Sequence, residues 1–166
     1  MTIAGDPRPA RYAGTRSDGR VGSRSPAQIS SLVLGAWWTI NGIGALVLDA
    51  NLATGHVHGG GEVFGLVAIT VNGWHALFHL LPGLLGIAVA SRPRAALAYT
   101  LGVGALYIVV GAWGLLAGGA SLGVIAVDSP GDGVHVFEGA VALAAGLWTV
   151  GQSRRSDVAT PRDRTV

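Results

Sequence analysis

The sequence predicts an all-α integral membrane protein, a bundle of four transmembrane helices with both termini in the cytoplasm. Half of its 166 residues are hydrophobic and only 12% are charged, about half the charged fraction of an average soluble domain. The mean hydropathy is +0.51. A helix rises about 1.5 Å per residue, so a hydrocarbon core of about 30 Å requires roughly 20 apolar residues. Four nearly uncharged stretches approach that length.

The predicted transmembrane domain covers residues 30–151 and contains four helices, at about 30–48, 63–90, 95–118 and 134–151. The first two stretches contain no charged residue, and the fourth contains only Glu138. Gly118 and Gly119 are expected to end the third helix, because glycine commonly occupies the position after a helix. The stretch that follows them is a partly apolar loop.

The two ends of the chain, residues 1–29 and 152–166, are rich in Arg, Gly, Pro and Ser and lack an apolar period. That composition predicts two disordered tails. The sequence pI is about 9.7, but the arginines are scattered and form no recognised nucleic-acid reader motif. We therefore expect the lipid bilayer as partner, and no nucleic acid.

The distribution of arginine predicts the orientation. All eleven basic residues lie in the tails or in the connection that carries Arg92 and Arg94, whereas the connections 49–62 and 119–133 contain none. Because basic residues are retained on the cytoplasmic side of a membrane, the two tails and the second connection are predicted to be cytoplasmic. The predicted location is the bacterial inner membrane, with four crossings.

Polar residues interrupt the second apolar stretch at Asn72, His75 and His79. At about 100° per residue they fall within roughly 60° of one another on a helix, together with Gly83. The opposite side of this helix collects bulky apolar residues: Trp74, Leu77, Leu81, Leu84 and Leu85. A small and polar face suits contact with other helices, and a bulky apolar face suits lipid.

The fourth helix has a similar feature at its start. Asp132 is predicted to be its N-cap, and His135 and Glu138 follow on one face. In the predicted orientation both polar groups lie in the outer half of the membrane. We therefore predict one polar intramembrane cluster in the outer half of the bundle: Asn72, His75, His79, His135 and Glu138.

Three functions are compatible with this cluster. Its members could form hydrogen bonds between helices, each contributing only about 0.6 kcal/mol on average. They could bind a transition metal, with His75, His79, His135 and Glu138 as candidate ligands, or a haem through two axial histidines. They could also relay protons. His56 and His58, in a glycine-rich connection, are a weaker metal candidate.

The sequence resembles a family of small four-helix membrane proteins of high-GC Gram-positive bacteria, catalogued only as a domain of unknown function. The family pattern N-x-x-H-x-x-x-H-L-x-x-G is matched by Asn72, His75, His79, Leu80 and Gly83. Its third helix is matched by Gly102, Tyr107, Gly111 and Gly114, and the start of its fourth by Asp132 and His135. The resemblance covers roughly residues 30–150, and Pro82 departs from it. It implies membrane insertion and supplies no substrate.

We predict a structural or accessory helix bundle that self-associates or supports a membrane partner, with no cofactor and no enzymatic activity. The histidine pair lacks the glutamate of the HExxH metalloprotease motif. The alternative is a metal- or haem-binding membrane protein of electron-transfer, DoxX-like type. A proton-linked small transporter is a third possibility, although four helices without an internal repeat seldom enclose a substrate path alone.

Overall fold

A computed structural model of the protein describes residues 23–54, 60–63, 67–117 and 123–159. The described elements are, in chain order, α1 Pro26–Leu48, β1 Gly60–Val63, β2 Val67–Thr70, α2 Gly73–Val89, α3 Pro93–Ala117 and α4 Ser129–Ala159. Three of these helices are long and apolar enough to cross a membrane, and α2 is a shorter apolar helix of 17 residues. The predicted four-helix bundle of a membrane protein is therefore confirmed.

The predicted start of the second helix, at residue 63, is wrong by ten residues. Residues Gly60–Val63 and Val67–Thr70 pair as a short antiparallel hairpin, and α2 begins only at Gly73. Two local features explain the difference. The run VAIT contains β-branched residues that favour a strand, and Asn72 caps the helix by accepting a hydrogen bond from the His75 backbone N–H. Hydropathy alone does not separate an apolar strand from an apolar helix.

The other helix ends differ less. α1 begins at Pro26, four residues before the predicted start, because Ser25 and Gln28 form a capping box and proline suits the first helical position. α4 begins at Ser129 and continues to Ala159, so the prediction of disorder is wrong for residues 152–159. Polar residues such as Gln152 and Arg154 are good helix formers and extend the hydrogen-bond ladder beyond the apolar part. Residues 1–22 and 160–166 lie outside the described part of the chain.

The bundle is built from two closely packed helix pairs, α1 with α2 and α3 with α4. Glycine allows the close approach. A Cβ added to Gly35 of α1 would lie 2.8 Å from the backbone nitrogen of Ile87, and one added to Gly104 of α3 would lie 2.9 Å from the carbonyl oxygen of Gly139. Such distances are too short for any side chain, so these glycines set the helix spacing.

The two pairs meet at an aromatic contact in the centre of the bundle. Trp38 of α1 stacks on Tyr107 of α3, with ring centroids 4.2 Å apart, and both side chains are fully buried. Val103 and Ala142 complete this core. Large apolar side chains such as Val47, Leu116 and Phe137 are exposed on the outside, as a surface that faces lipid requires.

Candidate functional site

Three histidines converge between the two helix pairs. His75 and His79 come from α2 and His135 comes from α4, and each is at most 7% exposed. The Nε2 atom of His79 lies 3.0 Å from Nε2 of His75 and 3.2 Å from Nε2 of His135. One ring nitrogen of each histidine lies within 4.8 Å of the others. We call these three side chains the histidine cluster.

The periodicity of α2 explains why two of them are buried together. Its buried residues form one stripe, composed of Gly73, His75, Ala76, His79, Gly83 and Gly86. Leu81, Leu84 and Leu85 are at least half exposed on the other side. The predicted division of this helix into a small polar face and a bulky apolar face therefore matches the structure.

The tautomer of His75 follows from its partner. Its Nδ1 atom lies 2.7 Å from the carbonyl oxygen of Ala126. A carbonyl oxygen only accepts hydrogen bonds, and a neutral imidazole carries a single N–H. Nδ1 of His75 therefore carries the hydrogen, and its Nε2 presents a lone pair to His79.

The tautomer of His79 follows from Tyr107 and Pro82. The Tyr107 hydroxyl lies 3.2 Å from the Phe78 carbonyl oxygen and 3.2 Å from Nδ1 of His79. The Phe78 carbonyl would normally accept from the backbone N–H of residue 82, but proline has none. When the hydroxyl donates its single proton to that carbonyl, its oxygen can only accept from Nδ1–H of His79. In that tautomer Nε2 of His79 is unprotonated, as in His75.

One ring nitrogen of His135, the third histidine of the cluster, has no hydrogen-bond partner among the described residues. This nitrogen is Nδ1, and it is buried. Nε2 of His135 can supply at most one hydrogen to the cluster, whereas His75 and His79 present two facing lone pairs. With His75 and His79 in these tautomers, hydrogen bonds within the cluster cannot satisfy all three neutral rings, and its centre has an excess of acceptors.

Asn72 forms hydrogen bonds with the segment 123–128, which lies beside the histidine cluster. Its Nδ2 donates to the Val124 carbonyl at 2.8 Å, and its Oδ1 accepts from the Ala126 N–H at 3.3 Å and the His75 N–H at 2.9 Å. The Asn72 side chain thus has two roles. It caps the start of α2, and it binds the backbone of the segment whose Ala126 carbonyl accepts from His75. Ile125, Ala126 and Val127 are buried against the bundle as a result.

The prediction that Asp132 is the N-cap of the fourth helix is wrong. The cap is Asp128, whose Oδ1 accepts from the Gly131 N–H at 2.8 Å, and whose carbonyl accepts from the Asp132 N–H at 2.9 Å. Pro130, with its fixed φ, favours a helix start immediately after Asp128. Asp132 lies one turn inside α4, buried against Gly114.

Glu138 lies apart from the histidine cluster. Its two carboxylate oxygens accept from the indole N–H groups of Trp37, at 2.5 Å, and Trp38, at 2.7 Å. This carboxylate is held by α1, so the predicted metal ligand set of four residues reduces to the three histidines. The weaker candidates His56 and His58 lie outside the described residues.

Sequence reasoning missed three contributors to this region: Trp37, Trp38 and Tyr107. A usable signal existed for each of them, because a buried indole N–H or phenol O–H in lipid must find an acceptor. Glu138 and the carbonyl released by Pro82 are such acceptors. The pattern of the sequence gives no indication of which donor would meet which acceptor.

The donor set fits a transition-metal ion. Three imidazole nitrogens at about 2.0–2.1 Å from a tetrahedral ion are roughly 3.4 Å apart, close to the observed 3.0 and 3.2 Å. Histidines that bind a metal usually donate their other N–H to a carbonyl or another polar group. His75 and His79 do so through Ala126 and Tyr107.

Comparison with known proteins gives a family but no activity. No curated protein and no solved structure matches the chain. A family model matches residues 28–148, a range that contains the three histidines, Asn72 and Tyr107. The chain therefore belongs to the family described as Domain of unknown function (DUF4383), as the resemblance of its second, third and fourth helices indicated.

Proposed function

We propose that this membrane protein binds one divalent transition-metal ion, such as Zn²⁺, through Nε2 of His75, His79 and His135. The observation that carries the proposal is the convergence of three buried ring nitrogens within 4.8 Å of one another. In two of these rings, His75 and His79, the Nδ1 atom faces a polar group outside the cluster. The lone pairs left at the centre match the chemistry of a metal ligand.

The balance of hydrogen-bond donors and acceptors in the histidine cluster also disfavours a role that is only structural. Neutral side chains hold helices together when a donor on one faces an acceptor on the other, and in these tautomers the histidine cluster has too few donors at its centre. A metal ion supplies the missing attraction. It would also join α2 to α4, whose backbones do not pack directly in the described part of the bundle, and so serves the accessory structural role expected from the sequence.

The geometry favours a metal ion over haem. Axial histidines bind haem iron from opposite faces of a porphyrin. For the pair on different helices, His79 and His135, the Nε2 atoms are 3.2 Å apart, and for the pair on α2, His75 and His79, they are 3.0 Å apart. Neither separation leaves space for a macrocycle between two rings.

A proton relay is also less well supported. The Glu138 carboxylate accepts its hydrogen bonds from the indoles of Trp37 and Trp38 and not from a histidine of the cluster. An indole N–H is only a donor, so it cannot accept a proton and pass it on. These two hydrogen bonds therefore give no proton path between Glu138 and the histidines.

Three histidines leave one coordination position open, as in zinc sites that bind water or a substrate. We propose binding at this position and no particular reaction. With both termini in the cytoplasm, as the arginines predict, the site lies toward the external face of a bacterial inner membrane. The segment 123–128 then separates it from the outside.

Metal analysis of the purified protein tests the proposal. The chain is purified in detergent with a tag that contains no histidine, dialysed against Zn²⁺ with a weak chelator, and analysed for metal. We expect about one ion per chain, and loss of that ion in His79→Ala. His58→Ala removes a histidine that is not in the cluster and is the control. A wild-type protein without metal, or a His79→Ala protein with the same content, would overturn the proposal.

A further inference from the structure

A groove opens on the surface between α2 and α3. It has a volume of about 410 Å³, and its walls include Leu81, Pro82, Leu85, Tyr99, Gly102 and Leu106. The two helices are consecutive in the chain, but each packs mainly on its other neighbour, α2 on α1 and α3 on α4. The groove is therefore the seam between the two helix pairs.

The groove offers no free polar group to a ligand. Its one polar side chain, Tyr99, donates its hydroxyl to the Pro82 carbonyl at 2.7 Å. The remaining lining is apolar, and Leu81, Leu85 and Leu106 are 62, 54 and 44% exposed. A Cβ added to Gly102 would meet nothing within 4 Å. The empty space therefore suits a hydrocarbon chain.

Two arginines stand at one end of this groove. Arg92 lies in the short connection between α2 and α3, Arg94 lies in the first turn of α3, and both are exposed. No acidic residue occurs in the sequence between Glu62 and Asp128. The positive charge at this end of the seam is therefore not balanced by the two helices that form it.

The dimensions match one leaflet of a bilayer. Along α3, at about 1.5 Å per residue, the groove runs from roughly 6 Å to roughly 18 Å beyond Arg94. Half of a hydrocarbon core of about 30 Å is about 15 Å. An acyl chain whose phosphate lies beside Arg94 would reach the end of the groove.

We infer that this groove binds one acyl chain of an anionic phospholipid, whose headgroup phosphate is held by Arg92 and Arg94. Guanidinium groups bind phosphate oxygens in pairs of parallel hydrogen bonds. Anionic lipids are attracted to basic residues at the membrane surface. The site is separate from the histidine cluster and does not depend on the metal.

Photo-crosslinking in lipid nanodiscs tests this inference. The full chain is reconstituted with phosphatidylglycerol or with phosphatidylcholine, each carrying a diazirine on its acyl chain, and labelled peptides are identified by mass spectrometry. We expect labelling of 81–85 and 98–106 above the rest of the lipid-facing surface. Phosphatidylglycerol should compete for this labelling about tenfold better than phosphatidylcholine.

Three variants, one of them a control, extend the test. Gly102→Leu should fill the groove and remove the preferential labelling, whereas Gly44→Leu, at another exposed glycine with open space around its Cβ, should not. Arg92→Gln with Arg94→Gln should abolish the preference for the anionic lipid. Uniform labelling of the surface, equal competition by both lipids, or crosslinks between two protein chains at this seam would overturn the inference.

Discussion

At the scale of single residues, Pro82 influences the histidine cluster from a distance. It releases the Phe78 carbonyl, which takes the Tyr107 proton, and the Tyr107 oxygen then fixes the hydrogen of His79 on Nδ1. Pro82 thus accounts for the orientation of a lone pair in the cluster. A proline in a membrane helix is tolerated where a neighbouring group satisfies the backbone that it frees.

The Tyr107 hydroxyl should matter for metal affinity more than for folding. In Tyr107→Phe the ring remains to stack on Trp38 and Phe78, but Nδ1–H of His79 loses its acceptor. Loss of such an outer partner typically weakens metal binding about 10–100-fold. We expect that decrease in a competitive Zn²⁺ titration, with the helical circular dichroism unchanged.

Tyr99→Phe is the matched control for this experiment. It removes a hydroxyl that also bonds a backbone carbonyl of α2, that of Pro82, but that is not in contact with the histidines. Its Zn²⁺ affinity should equal that of the wild type. Equal affinities for all three proteins would show that Tyr107 does not orient His79.

At the scale of elements, the bundle depends on how its helices begin. α2 and α4 both start beside the segment 123–128, through Asn72 and Asp128. The Oδ2 atom of Asp128 also accepts from the Thr70 N–H at 2.9 Å. The hydrogen bonds of the two caps thus connect the end of β2, the start of α2 and the start of α4. The segment between them places the Ala126 carbonyl beside His75.

Asn72→Asp should separate the two roles of this residue. Aspartate is as good an N-cap as asparagine, so α2 should still begin at Gly73. It cannot donate to the Val124 carbonyl, however, and the segment 123–128 should open more often. We expect faster amide hydrogen exchange in 123–128, with unchanged exchange in α2 beyond its first turn.

Asn72→Ala supplies the comparison, because it removes the cap as well. In this variant we expect faster exchange both in 123–128 and at the start of α2, and a loss of stability of about 0.5–2 kcal/mol. If Asn72→Asp left exchange in 123–128 at the wild-type rate, Asn72 would not hold this segment.

At the scale of the whole molecule, the architecture was predictable and the site only partly so. Hydropathy is sufficient to identify apolar helices, because a bilayer selects for length and composition. The 3.6-residue period placed His75 and His79 on one buried face. The start of α2 and the true cap of α4 depend on local strand propensity and on Pro130, and hydropathy does not include them.

Partners across the bundle could not be predicted from spacing. Glu138 and His135 are three residues apart on one helix, but they bind different neighbours, Glu138 the indoles of α1 and His135 the histidine cluster. Which helix meets which face depends on the close glycine contacts within each pair, such as Gly104 of α3 against Gly139 of α4. These contacts are tertiary, and a single sequence does not reveal them.

A bound metal should stabilise the whole bundle, because it links α2 to α4 at the centre. For a ligand that binds only the folded state, a free concentration of 100 times Kd adds about 2.7 kcal/mol. We expect Zn²⁺ to raise the unfolding temperature of the wild-type protein in detergent. In His79→Ala the same Zn²⁺ concentration should leave that temperature unchanged, and an equal rise in both would locate the stabilising ion elsewhere.

The coordination of the ion is the most direct test of the three-histidine site. X-ray absorption spectra of the Zn²⁺-loaded protein report the number, type and distance of the ligands. The account predicts three imidazole nitrogens at about 2.0–2.1 Å and one further light ligand. It also predicts the loss of one imidazole from the spectrum of His75→Ala or of His135→Ala when either variant is loaded with excess Zn²⁺. A first shell of water or carboxylate oxygens without imidazole scattering would contradict it.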